Sequence, residues 1–249
     1  MGMRRILPSI TSVGGTQCSW RDKIAEVREL ALNEFSLFVT GLTPLERKEC
    51  FAMLKVLRRE CDFKIPFVHA VSEMCEDEFW YLTHEFGTEK FNLHPVREFP
   101  LSHALSSRIR ERIYIENSTV DAPLGAGDIE GFAGICLDVS HLEDLKRTSE
   151  QGYAELVKLL ETYPIGANHI SAVGPNPNFF VDGVAYHSNH VLGSAKELSY
   201  LSSFPRQFFS EICAIELENP LSQQLSLIPV VRAEIEKALD MSANNRKAA

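Results

Sequence analysis

Six short apolar segments of this chain each end on a histidine or an acidic residue, the side chains that most often bind metals and transfer protons. The endings are His69, His94, Glu116, Asp138, His169 and the pair Glu216 and Glu218. Imidazole and carboxylate groups together suit Zn, Mn, Co or Fe better than Mg or Ca. A single ending of this kind would carry little weight, but six of them indicate one convergent site.

Charge supports a metal at such a site. Carboxylates forced together repel one another and their pKa values rise, unless a cation neutralises them. A divalent metal is the simplest neutralising group. Asp138 also has a second interpretation, because an acid directly before a helix often caps it.

The elements that must position these residues alternate along the chain. Periodicity predicts strands at 6–13, 35–41, 65–71, 91–96, 112–117, 135–139, 166–173 and 211–218. It predicts helices at 19–34, 43–59, 72–86, 101–110, within 141–163, and at 194–201 and 221–239, at most a short helix within 126–132, and a loop at 174–189. Thr43 and Pro44 are typical of a helix start.

Eight strand–helix units without a composition break predict an α/β fold, a single (β/α)8 TIM barrel over residues 1–240, followed by a disordered tail at 241–249. A doubly wound open sheet would need a phosphate-binding glycine turn, and Gly125 and Gly127 lie in the wrong place for one. In a barrel of this kind the loops after the strands form the active site.

Bulk composition narrows the function classes. The chain has 249 residues, a formal net charge of −9 and six cysteines without a CxxC pair. The acidic charge disfavours binding to nucleic acid or to an anionic membrane. No apolar run is long enough to span a bilayer, and scattered cysteines inside apolar runs are typical of reduced thiols. We therefore expect a soluble, cytoplasmic protein.

Several short motifs together resemble the xylose isomerase-like TIM barrel superfamily, which includes sugar isomerases, epimerases and endonuclease IV. The motifs are Asn92-Leu-His-Pro95, Ile115-Glu-Asn117, Cys136-Leu-Asp-Val-Ser-His141, Asn168-His-Ile-Ser171 and Leu217-Glu-Asn-Pro220. The resemblance implies one metal held by Glu116, Asp138, His169 and Glu218. In endonuclease IV-like members it implies a second metal at His69 and His94, and a third at His141 and an Asp-x-His motif. Here that motif reads Ala185-Tyr-His187, so its aspartate is missing.

Three functions follow from these residues and the resemblance. The first is a divalent-metal-dependent isomerase or epimerase of a small sugar-like hydroxycarbonyl compound, with Glu116 and Glu218 as the acid/base pair. The second is an endonuclease IV-like phosphoesterase (AP endonuclease family 2) acting on abasic DNA, and the third is a metal-binding barrel without turnover. The sequence leaves open whether Glu216 or Glu218 is the last ligand, whether His187 or His190 faces the site, and whether the chain forms a homo-oligomer.

Overall fold

A computed structural model describes residues 4–12, 18–117 and 123–238, and its centre is one parallel sheet. The strands are β1 Arg5–Leu7, β2 Ser9–Ile10, β3 Ser36–Phe38, β4 Phe67–His69, β5 Lys90–Leu93, β6 Ile113–Glu116, β7 Gly134–Asp138, β8 Ile165–Ile170, β9 Ala172–Val173, β10 Phe179–Val181, β11 Val184–Tyr186, β12 Ser188–Asn189 and β13 Ile212–Ile215. The helices are α1 Trp20–Glu29, α2 Pro44–Leu57, α3 Glu76–Phe86, α4 Ser107–Arg110, α5 Ala126–Ile129, α6 Val139–Thr148, α7 Glu150–Thr162 and α8 Leu221–Lys237, with 3-10 helices at Ala195–Ser203 and Arg206–Phe208.

The sheet is a nearly closed barrel of nine strands in the order β1-β13-β8-β7-β6-β5-β4-β3-β2. Its two edge strands, β1 and β2, are separated only by Pro8, which has no N–H to give to a neighbouring strand. β1 pairs with β13, whereas β2 pairs with β3. The prediction of a parallel α/β barrel is confirmed, but its first strand, expected at 6–13, is divided at Pro8, and Val13 lies outside the described residues.

The buried side chain of Gln224 on α8 links the two ends of the sheet, near β2 and β13. Its Oε1 accepts a hydrogen bond from the Ser9 N–H at 2.7 Å. Its Nε2 donates to the carbonyl oxygens of Ser9, Leu217 and Asn219 at 3.1, 3.0 and 2.8 Å. One amide therefore ties the first strands, the segment after β13 and the last helix together.

Two apolar layers lie on either side of the sheet. The larger packs the outer face of the sheet against the helices. The smaller fills the barrel and comprises Leu7, Phe38, Phe67, Cys136, Ala167, Ile212 and Ala214, with Tyr114 packed against it. Because side chains alternate along a strand, the next inward positions above this layer are His69, Asp138, His169 and Glu216. The inner layer is thus the floor of the site.

A bulge in β8, where it pairs with β7, determines which residue of β7 lies opposite His169. Ile135 pairs with Ile165, but Cys136 pairs with Ala167, so Gly166 is an extra residue in β8. A β-carbon at Gly166 would overlap the ring of Tyr114, which is why this position needs glycine. The pairing that follows the bulge places His169 directly beside Asp138.

Several expected bounds differ from the structure, and three of the differences have a clear local cause. The helix expected at 141–163 is two helices, because Ser149 ends α6 and its side chain caps α7 by accepting from Gly152 N. The helix expected to start at Ser72 begins at Glu76, where the Glu78 carboxylate accepts from Cys75 N. The loop expected at 174–189 contains an antiparallel hairpin, β10–β11. Asp182 and Gly183 have positive φ at its turn, as such hairpin turns require.

The predicted start of the second helix is confirmed, since Thr43 caps it and Pro44 is its first residue. Within the described ranges, every helix is too short or too polar to cross a membrane. The tail at 241–249, expected to be disordered, lies outside the described residues.

Candidate metal centre

Four side chains from four neighbouring strands converge at the carboxyl end of the barrel. Glu116, Asp138, His169 and Glu216 each offer one ligand atom, and these atoms all lie within 4.8 Å of one another. A second group, His69, Glu116 and His169, shares two of these residues. Parallel strands bring their carboxyl ends to the same edge, so residues distant in sequence meet there.

Glu116 is the centre of the arrangement and is only 2% exposed. Its Oε2 accepts a hydrogen bond of 2.7 Å from Asn92 Nδ2, which fixes the carboxylate. The Nε2 atoms of His69 and His94 lie 3.4 and 3.9 Å from the same oxygen. The other oxygen, Oε1, lies 3.4 Å from His169 Nδ1. One carboxylate therefore faces three imidazole rings.

Asp138 caps a helix with one carboxylate oxygen, and its other oxygen belongs to the ligand group. Its Oδ1 caps α6 by accepting from the N–H groups of Ser140 and His141 at 2.7 and 3.0 Å. Its backbone is held by Asn117, whose Oδ1 accepts from Asp138 N and whose Nδ2 donates to Asp138 O. The second oxygen, Oδ2, is left for a ligand, and it lies 3.9 Å from His141 Nδ1.

The donor atoms of this cluster fit a divalent metal. Buried atoms without a hydrogen-bond partner among the described residues include both ring nitrogens of His69 and His169, Asp138 Oδ2 and Glu216 Oε2. Burying such atoms unpaired costs free energy, so native proteins seldom leave several together. Bonds of about 2.1 Å from one metal would bring tetrahedral donors to about 3.4 Å apart. Two contacts of the cluster, from His169 Nδ1 to Glu116 Oε1 and to Glu216 Oε2, are already 3.4 and 3.2 Å long.

Without a metal, the charges of the cluster compensate one another through His169. Burial would raise the pKa of Glu116, but the His169 and His69 rings outweigh burial and hold that pKa well below its usual range. Burial likewise opposes ionisation of Glu216, yet His169 and His190 lower its pKa to about 2. The Nδ1 atom of His169 lies 3.2 Å from Glu216 Oε2, between the two carboxylates.

The histidines of the cluster differ in their protonation. Burial would lower the pKa of His169, but Cys136, Glu116 and Glu216 raise it well above its usual value. Burial raises the pKa of the Cys136 thiol to about 11, so this thiol is neutral near pH 7 and the carboxylates are the effective partners. For His69 burial prevails and lowers the pKa to about 3. His69 is therefore a neutral imidazole, the form that binds metals.

A cavity of about 260 Å³ opens above the cluster. Its floor is aromatic, with the ring of Phe38 centred 4.9 Å from that of His169. Its lining comprises Thr11, Phe38, Thr40, His69, His94, Phe99, Glu116, His141, His190, Glu216 and Glu218. The cavity thus exposes two members of the ligand group, Glu116 and Glu216, together with a further carboxyl group, that of Glu218.

The structure favours Glu216 over Glu218 as the ligand after the last strand. Sequence analysis placed this ligand at Glu218, but Glu218 contributes no atom to either ligand group. β13 ends at Ile215, so the inward alternation of Ile212 and Ala214 continues to Glu216 and is then lost. Glu218 nonetheless lines the same cavity. The alternation was readable in the sequence, whereas the end of the strand was not.

His187 lies away from the cavity, although it was predicted as a ligand. Its Nδ1 contacts Gly174 O at 3.1 Å, and its N–H donates to Asp144 Oδ1. His190 lines the cavity instead, with Nδ1 3.9 Å from Glu216 Oε1. The predicted ligands His69, His94 and His141 all line the cavity.

Sequence reasoning missed a lysine behind the cavity wall. Lys23 on α1 is fully buried, and its Nζ donates to Thr11 Oγ1 at 2.6 Å and to Leu217 O at 3.0 Å. Burial lowers its pKa to about 8, although Cys18, Glu218 and Glu26 oppose this shift. In the sequence Lys23 reads as one of several charged residues on an amphipathic helix.

Comparison with known proteins adds little to this picture. No protein-family model matches the chain, and no curated protein matches it. Among solved structures, an uncharacterized B. cereus protein is similar at 13% identity and a TM-score of 0.38. The match covers 95% of this chain but only 64% of that protein. A TM-score this low carries no argument about fold or function.

Proposed function

We propose that this protein is a divalent-metal-dependent isomerase or epimerase of a small sugar-like hydroxycarbonyl compound. The observation that carries the proposal is the buried group of Glu116, Asp138, His169 and Glu216 beneath a small cavity that also contains Glu218. In this proposal β1 and β2 are one strand interrupted at Pro8, and the barrel is of the xylose isomerase-like kind. The location is cytoplasmic, and the metal is Zn, Mn, Co or Fe.

The residues divide the chemistry between binding and proton transfer. A bound divalent metal acts as a Lewis acid that lowers the cost of negative charge on a hydroxycarbonyl substrate. One carboxylate removes the proton beside the carbonyl, and an acid on the other side returns a proton to the resulting enediolate. Glu218 suits the first or second role because it lies in the cavity but outside the ligand groups. Glu116 is the second acid/base candidate, oriented by Asn92.

A phosphoesterase is the second candidate, favoured by one specific observation. His69 and His94 both approach Glu116 Oε2, as ligands of a second metal would. Against it, neither lysine nor arginine lines the cavity among the described residues, and the net charge is −9. Phosphate contacts supply much of the affinity of nucleic-acid enzymes. A metal-binding barrel without turnover is the third alternative.

Exchange of substrate hydrogen with solvent tests the proposal directly. The metal-loaded protein is incubated in D2O with ketoses and aldoses, and deuterium beside the carbonyl is measured by NMR. We expect exchange by wild type and by Glu211→Gln, an exposed glutamate just before β13. Glu218→Gln should abolish exchange and keep the metal, because glutamine keeps the shape but cannot take the proton. Glu116→Gln should also abolish exchange, but there the loss of metal contributes, since Glu116 is a proposed ligand.

Abasic-site DNA and a metal count separate the two enzymes. Cleavage of the DNA by wild type, lost in His141→Ala, would refute the isomerase proposal. Two or three metals per chain without any hydrogen exchange would also favour the phosphoesterase. Metal binding with neither reaction would support the barrel without turnover.

A further inference from the structure

A second cavity, of about 230 Å³, adjoins the cavity above the metal centre. The two share three lining residues, Thr40, His94 and Phe99. The outer cavity is otherwise formed by Leu42 and by residues 70–73, the segment after β4. A molecule held at the metal centre can therefore extend past Phe99 into a second compartment.

The aromatic wall between the two compartments is held firmly in place. Phe99 is 47% exposed, and its ring is centred 5.0 Å from that of His94. Its N–H donates to Pro95 O, which closes a turn. Within this turn Arg97 pairs with Asp128 of α5 at 2.6 Å and donates to Pro123 O. These contacts fix the turn that carries Phe99, so the exposed face of its ring is available to a ligand.

The polar groups of the outer cavity suit hydroxyl groups and disfavour anions. Thr40 and Ser72 provide hydroxyls, and the Glu73 carboxylate is 60% exposed. Among the described residues, neither lysine nor arginine lines either cavity.

Two buried cations contact residues of the cavity linings, and both are engaged by other groups. Arg47 is 2% exposed, and its guanidinium contacts Glu78 at 3.3 Å, Glu73 at 3.7 Å and Leu42 O at 3.2 Å. Lys23 is buried behind Thr11. A phosphate or carboxylate in the outer cavity would meet the Glu73 carboxylate, whose partner Arg47 is almost fully buried and shared with Glu78, and this contact is costly at a partly dehydrated site.

We infer that the outer cavity is a subsite for the distal, hydroxyl-bearing end of an uncharged polyhydroxy substrate, and that phosphate esters are excluded. This inference rests on the proposed function, since it places the reacting hydroxycarbonyl end at the metal centre. The apolar face of the distal end packs on Phe99, and its hydroxyls bind Thr40, Ser72 and Glu73. Substrate length and charge are therefore the properties that the site selects.

Three probes and two variants test length and charge separately. The probes are dihydroxyacetone, D-fructose and D-fructose 6-phosphate, and binding to the metal-loaded protein is measured by calorimetry or ligand-detected NMR. Ser72→Phe fills the outer cavity, and Glu73→Lys reverses its charge. Ser107→Phe on α4 and Glu111→Lys are matched controls, because both positions are exposed and outside the cavity linings.

We expect wild type to bind fructose at least tenfold more tightly than its phosphate. Ser72→Phe should weaken fructose binding at least tenfold and leave dihydroxyacetone unchanged. Glu73→Lys should reduce the discrimination against the phosphate at least tenfold, and the controls should behave as wild type.

Several results would overturn the inference. They are equal or tighter binding of the phosphate, equal losses for long and short probes in Ser72→Phe, and no binding of any probe. Hydrogen exchange is measured on the same samples to keep the two proposals apart. Selective binding without exchange refutes the proposed isomerase and leaves the subsite standing, whereas exchange without selectivity does the reverse.

Discussion

Replacing Glu216 by glutamine should remove most of the protein's affinity for metal, while the same change at Glu218 should not. Glu216 Oε2 is buried, lacks a hydrogen-bond partner among the described residues and belongs to the four-residue ligand group. Glutamine retains the size and one oxygen but has no charge, and its NH2 group cannot bind a cation. Glu218 lies in the same cavity and outside that group, so it provides a matched control.

The size of the effect follows from known metal sites and from linkage. Changes to residues that merely orient ligands weaken metal binding 10- to 100-fold, so loss of a direct ligand should cost about 100-fold or more. At a metal concentration of about 100 Kd, wild type gains about 2.7 kcal/mol of stability from binding, and a variant with a 100-fold weaker site gains about 0.4 kcal/mol. For a chain of this size the difference corresponds to about 5 to 9 °C in Tm.

The assay compares thermal unfolding with and without metal at one fixed metal concentration. Wild type and Glu218→Gln should show the full metal-induced rise in Tm, and Glu216→Gln should show little of it. Elemental analysis after dialysis provides an independent count of bound metal. The reasoning is refuted if Glu218→Gln loses the rise and Glu216→Gln retains it.

Three further outcomes are expected. Asp138→Ala should lose metal and, in the presence of a chelator, about 1 kcal/mol of unfolding free energy, because Asp138 caps α6. Asp138→Asn should also lose metal but should keep most of this stability, because asparagine can cap a helix. Metal content and urea unfolding of the two variants check this. Gln224→Ala should cost about 2 to 4 kcal/mol in urea unfolding because several buried polar groups lose partners, and Gln223→Ala, an exposed neighbour, should cost less than about 1 kcal/mol. Lys23 should make the free energy of unfolding depend on pH. Its pKa in the folded chain is lowered from 10.5 to about 8, so the unfolded chain binds a proton first as the pH falls from 10.5 to about 8. Wild type should therefore lose about 3 kcal/mol relative to Lys23→Met between these pH values, and an equal pH dependence of the two proteins would contradict this.

The sequence was most informative where local rules and the barrel topology agree. Parallel strands with polar residues at their carboxyl ends were readable because apolar runs stop sharply at His69, Glu116, Asp138 and His169. The fold then brings these endings together, as the ligand groups show. The start of α2 was equally readable, since Thr43 and Pro44 each favour it for an independent reason.

The details that failed depend on contacts between distant parts of the chain. Pro8 divides the first strand because β13 and β3, far apart in sequence, pair on either side of it. Glu216 and Glu218 share one periodicity, and only the pairing of β13 with β8 shows that the strand ends at Ile215. The Asp182-Gly183 pair is typical of a hairpin turn. It lies in a segment rich in glycine, proline and asparagine, and this composition is equally typical of a loop.

The pairing of β13 with β8 has a consequence for how the candidate metal centre is completed. Ala214 pairs with His169, so the last strand of the sheet joins β8 across a long segment that contains the β10–β11 hairpin and both 3-10 helices. Contacts between residues this far apart in the chain form late in folding. Glu216, which follows β13, joins Glu116, Asp138 and His169 only when that pairing exists. A chain whose synthesis or refolding stops before β13 pairs has three of these four side chains but not the fourth. Under the proposed function, metal uptake should therefore be limited by the pairing of this strand and not by diffusion of the ion, and it would act as a chemical mark of molecules that have finished folding.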